Sequence, residues 1–163
     1  MSVLKSKRKK STLTYLREMT ELRIMTIRIV KKFSKMMMRL LGDNLIKLVT
    51  GAFTDCIKAD NITVKSNSLP EHCERKLKYL SSASDTLRAL SAEITFCHAY
   101  ILEDRIIHES SEEIHRKLLN WNLKVDCVHE EICNTIRIVK EQYRQSTRLR
   151  SHKDKHSELV SRS

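Results

Sequence analysis

Apolar residues recur along this chain at spacings of three and four, the period of a helix face rather than the alternation of a strand. A first stripe runs through Tyr15, Met19, Leu22, Thr26, Ile29 and Phe33, widened by Leu16, Ile27 and Val30, and predicts a helix over about 12–35. Thr12 or Thr14 is placed to cap it, and Lys31-Lys32 suits its last turn. A second stripe, Leu41, Leu45, Leu48, Ala52, Cys56, Ala59 and Ile62, predicts a helix over about 38–64, joined to the first at Ser34-Lys35. Ser66-Asn67-Ser68-Leu69-Pro70 is a polar break with Pro at the first turn of the next helix. A third stripe then runs through Cys73, Leu77, Leu80, Ser84, Leu87, Ser91, Ile94, His98 and Ile101. Ser110 and Glu113 have capping-box spacing and open a fourth stripe of Ile114, Leu118, Trp121, Val125, Val128, Ile132, Thr135, Val139 and Tyr143. That stripe meets no Gly or Pro, which predicts one long helix.

Four amphipathic helices with short links predict an all-α protein, an antiparallel up-down-up-down four-helix bundle with a long fourth helix. Composition agrees: two Gly and one Pro in 163 residues leave little turn chemistry for a sandwich or barrel. The expected divisions are a basic N-terminal arm over 1–11, the bundle over 12–146 and a basic, disordered tail over 147–163, where apolar residues thin out.

Residues 1–10 hold five cations and no acid, and residues 137–163 hold eight cations against three acids, so all but one unit of the +11 net charge sits at the ends. Cationic ends on a near-neutral body point to a polyanion, with nucleic acid the first candidate. Lys5, Lys7, Arg8, Lys9, Lys10, Arg144, Arg148, Arg150, Lys153 and Lys155 are the expected phosphate contacts, and Arg75, Lys76, Lys78 and Arg88 on the third helix the expected structured patch. No apolar run approaches the roughly 18–20 residues of a membrane span, and the first residues lack a secretory pattern, so a cytoplasmic protein without a membrane partner is expected.

Candidate chemistry is sparse. Cys56, Cys73, Cys97, Cys127 and Cys133 are odd in number, contain no C-x-x-C pair and read as free buried thiols. His129 and Cys133 share a helix face, and Cys97-His98 could join them, but no second pair stands at ligand spacing; no metal and no cofactor are expected. Glu103-Asp104, Glu112-Glu113 and Glu130-Glu131 point about 100° apart on a helix and do not converge on a substrate. His98 reads as a core histidine bonded to a neighbour, and Trp121, flanked by Leu118 and Val125, as core or subunit packing rather than a base-stacking platform. With no nucleophile elbow or phosphate loop, no catalytic residue is assigned and an enzyme is not expected.

Several segments stand in a familiar order. Ile29-Val30-Lys31-Lys32-Phe33-Ser34-Lys35, Leu41-Gly42-Asp43-Asn44-Leu45, Ile57-Lys58-Ala59-Asp60-Asn61 and Glu113-Ile114-His115-Arg116-Lys117-Leu118-Leu119-Asn120-Trp121 resemble the landmarks of the accessory variability determinant family of diversity-generating retroelements. Ser34 stands where that family usually has Pro, Asp60 separates Ala59 from Asn61, and this chain continues well past Trp121. The resemblance implies a basic, non-catalytic four-helix bundle that forms a homopentamer. It implies binding to a reverse transcriptase and its template RNA in support of mutagenic complementary-DNA synthesis. The alternative from the residues alone is a helical adaptor that binds protein and not nucleic acid.

Overall fold

The computed structural model describes residues 3–64, 70–104 and 111–160, with side chains described over 14–64, 70–100, 113 and 115–148. The described residues are all-helical, without a strand: α1 (Val3–Val30), the single turn α2 (Lys35–Met37), a π-turn (Met38–Gly42), α3 (Asp43–Asp60), α4 (Pro70–Asp104) and α5 (Ser111–Val160).

α1 packs on α3, α3 on α4, α4 on α5 and α5 on α1. Hydrogen bonds fix the register of each pair, with the Tyr15 hydroxyl pointing at Asp60 between α1 and α3. Thr26 meets Trp121, and Lys124 reaches Glu18 and Glu21, between α1 and α5. Asn44 meets Glu93 and Asp55 meets Ser82 between α3 and α4. Glu74 meets Tyr143, Ser84 meets His129 and His98 meets His115 between α4 and α5. Tyr15, Asp60, Glu74 and Tyr143 therefore lie toward one end of the molecule, called here the Tyr15 end. Val30, Gly42, Glu93, His98 and His115 lie toward the other, the Gly42 end.

The shared core contains Tyr15, Met19, Leu22, Leu45, Val49, Leu80, Leu87, Leu90, Ile94, Trp121, Val125 and Ile132, all buried. Apart from Ile101 and Ile114, whose side chains lie outside the described residues, the stripes expected from the sequence lie on the inward faces, with small phase shifts. Val30 is buried and Ile29 only partly so; Val49 replaces Leu48, and Leu90 replaces Ser91. The shifts fall where two apolar or small residues are adjacent and either could face inward, whereas the fourth stripe keeps its phase from Leu118 to Val139.

The helix limits also differ from expectation. α1 stops at Val30, where Lys32 and Phe33 donate back to Ile29 and Val30, and Ser34 then caps α2 by accepting from the Met37 amide at 3.2 Å. The expected arm over 1–11 is helical from Val3, and the tail expected to be disordered continues α5 to Val160. Neither stretch contains a Gly or Pro to stop a helix. Ser110 of the expected capping box lies outside the described residues, as does the loop over 65–69.

The π-turn brings Gly42 against α1. A Cβ at Gly42 would stand 2.5 Å from Met38 Sδ and 3.1 Å from Val30 Cγ1, so the absent side chain is what lets α1 close on the start of α3. Gly42→Val is expected to destabilise by about 2 kcal/mol through overpacking, and Gly42→Ala by less because the Met38 side chain can swing aside. Urea melts of the two variants check this; a Gly42→Val protein as stable as the parent would contradict the close approach.

Candidate nucleic-acid interface

Lysine and arginine side chains end up where the helix register puts them, and the register collects segments that are distant in sequence. α1 begins and α5 ends at the Tyr15 end, and α4 also begins there. The backbone carrying Lys5, Lys7, Arg8, Lys9 and Lys10 therefore emerges at the same end as that carrying Arg144, Arg148, Arg150, Lys153 and Lys155. Among these, Arg144 and Arg148 have described side chains, and both are exposed, Arg144 lying 3.7 Å from Glu141. The other eight side chains lie outside the described residues. Arg75 and Lys78, on the first turns of α4, are exposed at the same end, while Arg88 is exposed near the middle of α4.

Lys76 does not join this surface. It is 6% exposed, and its Nζ donates to the Ile62 carbonyl at 2.9 Å, just beyond the end of α3. Burial lowers its pKa, with Asp60 opposing that shift. The ammonium thus serves a carbonyl at the α3 terminus, where the helix dipole also favours a cation, rather than a phosphate. Close by, the Tyr15 hydroxyl points at Asp60 Oδ1 from 3.5 Å, and burial followed by the Asp60 charge raises its pKa.

A second cationic region was missed by counting charge in blocks. Between Glu21 and Asp43 there is no acidic residue, yet Arg28, Lys31, Lys32, Lys35 and Arg39 fall there and are all exposed around the Gly42 end. An acid-free window of this length inside a nearly neutral body is the signal that would have revealed it. Lys32 is close enough to Glu113 to help lower that carboxyl's pKa, behind the larger effect of Lys117 at 2.7 Å.

The outward surface of α4 becomes apolar toward the Gly42 end. Ala89, Ala92, Phe96 and Ala99 are exposed at helical spacing, with Phe96 56% exposed and stacked on Tyr100 at 6.4 Å. The α4–α5 register brings Leu119 and Leu123, also exposed, to the same level on the neighbouring helix, and the link before α3 adds exposed Met36 and Leu40. Several large apolar side chains at one level differ from scattered surface apolars and mark a surface suited to association.

Between α4 and α5 runs a polar ladder with seven-residue spacing. His98 Nε2 and His115 Nδ1 are 2.8 Å apart, and Ser84 Oγ and His129 Nε2 are 2.9 Å apart. Midway, Ser91 stands level with Asn122, whose Oδ1 is buried without a hydrogen-bond partner. His98 therefore has the neighbouring partner that was expected but is half-buried rather than in the core, and burial, then His115, lowers its pKa. His129 also has Cys133 Sγ at 3.8 Å, but among the described residues no group of three or more His, Cys, Asp or Glu converges as a metal site.

The thiols divide by position. Cys56, Cys73 and Cys97 are buried, with burial pushing Cys56 up to about 12 and Cys97 up to about 11, far from a reactive thiolate. Cys127 is exposed and Cys133 half-buried, which corrects the expectation that all five are buried.

Opposite the ladder, Lys124 Nζ clasps α5 to α1 through Glu18 Oε2 at 2.5 Å and Glu21 Oε2 at 2.6 Å. The Lys124 and Arg17 hydrogen bonds hold the Glu18 carboxyl below its ordinary 4.5. A carboxylate with a depressed folded pKa stabilises the fold above its unfolded value and loses that contribution as pH falls through the folded value. Below about pH 4.5 the parent chain should therefore lose stability more steeply than Glu18→Gln, as measured by urea melts across pH 3–6. Parallel curves would contradict the clasp.

Among the described residues, no helix is long and apolar enough to cross a membrane. No protein-family model matches the chain, and neither a curated protein nor a solved structure does.

Proposed function

We propose that this chain is an up-down-up-down four-helix bundle acting as a non-catalytic, RNA-binding accessory subunit. In this reading it brings a reverse transcriptase and structured template RNA together for mutagenic complementary-DNA synthesis in a diversity-generating retroelement, in the cytoplasm. The closed cycle of helix pairs and the opposed residue order in each pair support the bundle arrangement. The observation that carries the function is the gathering of the basic start of α1, the basic end of α5 and Arg75 and Lys78 of α4 at one end. Phosphate neutralisation by such a surface provides affinity without choosing sequence, so the bundle must supply partner choice.

Self-association into a homopentamer belongs to the same proposal and is supported by the apolar surface of Phe96, Leu119 and Leu123. Light scattering should give five times the 19.1 kDa protomer mass; a mass near 19.1 kDa would rule the pentamer out.

The same apolar surface also favours a second reading, a protein-binding adaptor whose charged ends keep it soluble. Nuclease-treated, high-salt-washed protein distinguishes the two. Retention of added structured RNA at moderate salt supports the accessory subunit, whereas no retention together with a tight protein complex supports the adaptor.

A further inference from the structure

We propose that His98 and His115 form a two-histidine clamp for a divalent late first-row transition ion of the zinc or nickel class, joining α4 to α5 at the Gly42 end. The two imidazoles come from different helices, with His98 Nε2 and His115 Nδ1 2.8 Å apart and ring centroids 4.7 Å apart. Two metal–nitrogen bonds of about 2.0–2.1 Å, meeting at tetrahedral or square angles, need nitrogens roughly 2.9–3.4 Å apart. A separation of a few tenths of an ångström turns the present hydrogen-bonded pair into a chelate.

The backbone that must hold this geometry is already fixed. Ser84 and His129 lock the same two helices fourteen positions along each chain segment, so the histidine pair is set by packing and not by a flexible loop. Imidazole nitrogen suits zinc, nickel and copper and does not suit the hard ions magnesium and calcium.

The proton inventory closes without an added reactant. In the free pair, one ring donates its facing N–H to the other. On metal binding that ring shifts its proton to its outer nitrogen, His98 Nδ1 or His115 Nε2, and both facing lone pairs bind the ion with no net proton released. Among the described residues no third ligand converges there. The clamp acts at the level of the exposed apolar surface of α4 and α5 and would stiffen it.

His129 with Cys133 is the competing pair, but His129 Nε2 is engaged by Ser84. The test uses the full chain, stripped with a chelator and titrated with nickel or zinc chloride by calorimetry, with cobalt absorption as a ligand reporter. One ion per protomer is expected, with a rise in melting temperature and a cobalt spectrum lacking thiolate charge-transfer bands. His98→Asn and His115→Asn should each abolish the heat signal while keeping the helical circular dichroism of the parent, and His129→Asn should leave binding intact. Absence of binding at millimolar nickel would overturn the clamp, as would binding that survives both His98→Asn and His115→Asn, or that carries thiolate bands and disappears in His129→Asn.

Discussion

Replacing Trp121 with alanine is expected to remove about 4 kcal/mol of folding stability, a large share of the 5–15 kcal/mol typical of a domain. Trp121 is the largest fully buried side chain, and its Nε1 donates to Thr26 Oγ1 at 2.9 Å across the α1–α5 interface. Truncation would open a cavity among core residues and remove that hydrogen bond at once. In a chain of this size the loss corresponds to a fall in melting temperature of roughly 10 °C. Trp121→Phe keeps much of the volume and removes the indole donor, so it should cost about 1–2 kcal/mol. Calorimetry of both variants checks the pair. A Trp121→Ala protein that melts with the parent would mean that the residue does not hold α5 to α1.

The second large effect concerns RNA. Changing Lys5, Lys7, Arg8, Lys9, Lys10, Arg144, Arg148, Arg150, Lys153 and Lys155 to glutamine removes ten cations from the Tyr15 end without shortening either helix. If these side chains neutralise phosphates, affinity near 0.1 M salt should fall by about a thousandfold and the slope of log affinity against log salt should flatten by several units. Glutamine retains helix propensity, so circular dichroism should match the parent. Binding that keeps its salt slope would remove the ends from the interface and shift attention to Arg28, Lys31, Lys32, Lys35 and Arg39.

Much of the fold was written in the apolar stripes. Tyr15, Met19 and Leu22, or Leu118, Trp121 and Val125, sit inward because helical spacing leaves them no other shared face. The phase errors at Ile29, Leu48 and Ser91 arise where two apolar or small residues are adjacent, so the period alone cannot choose between them. The π-turn was not legible, because Met36-Met37-Met38 fits an ordinary helix and an apolar period does not reveal a single turn widened over Met38–Gly42.

The candidate interface was legible as composition and not as place. Block charge located the basic ends, but their meeting at the Tyr15 end follows from helix pairing, which is tertiary. Lys76 illustrates the difference. It reads like Arg75 and Lys78 beside it, yet it lies on the inward face of α4 and serves the Ile62 carbonyl. The pairing of His98 with His115 and of Ser84 with His129 likewise depends on a register that no single helix encodes. The apolar surface of Ala89, Ala92, Phe96 and Ala99 was available to a helical projection, but the stronger seam on the opposite face of α4 overshadowed it.

The proposed partner of the cationic end is a polyanion, and specifically structured RNA. Fluorescence anisotropy of a labelled structured RNA, titrated with nucleic-acid-free protein at a series of salt concentrations, addresses it directly. Saturable binding is expected, with log affinity falling linearly with log salt at a slope corresponding to several neutralised phosphates. Absence of binding at moderate salt, or affinity independent of salt, would contradict it.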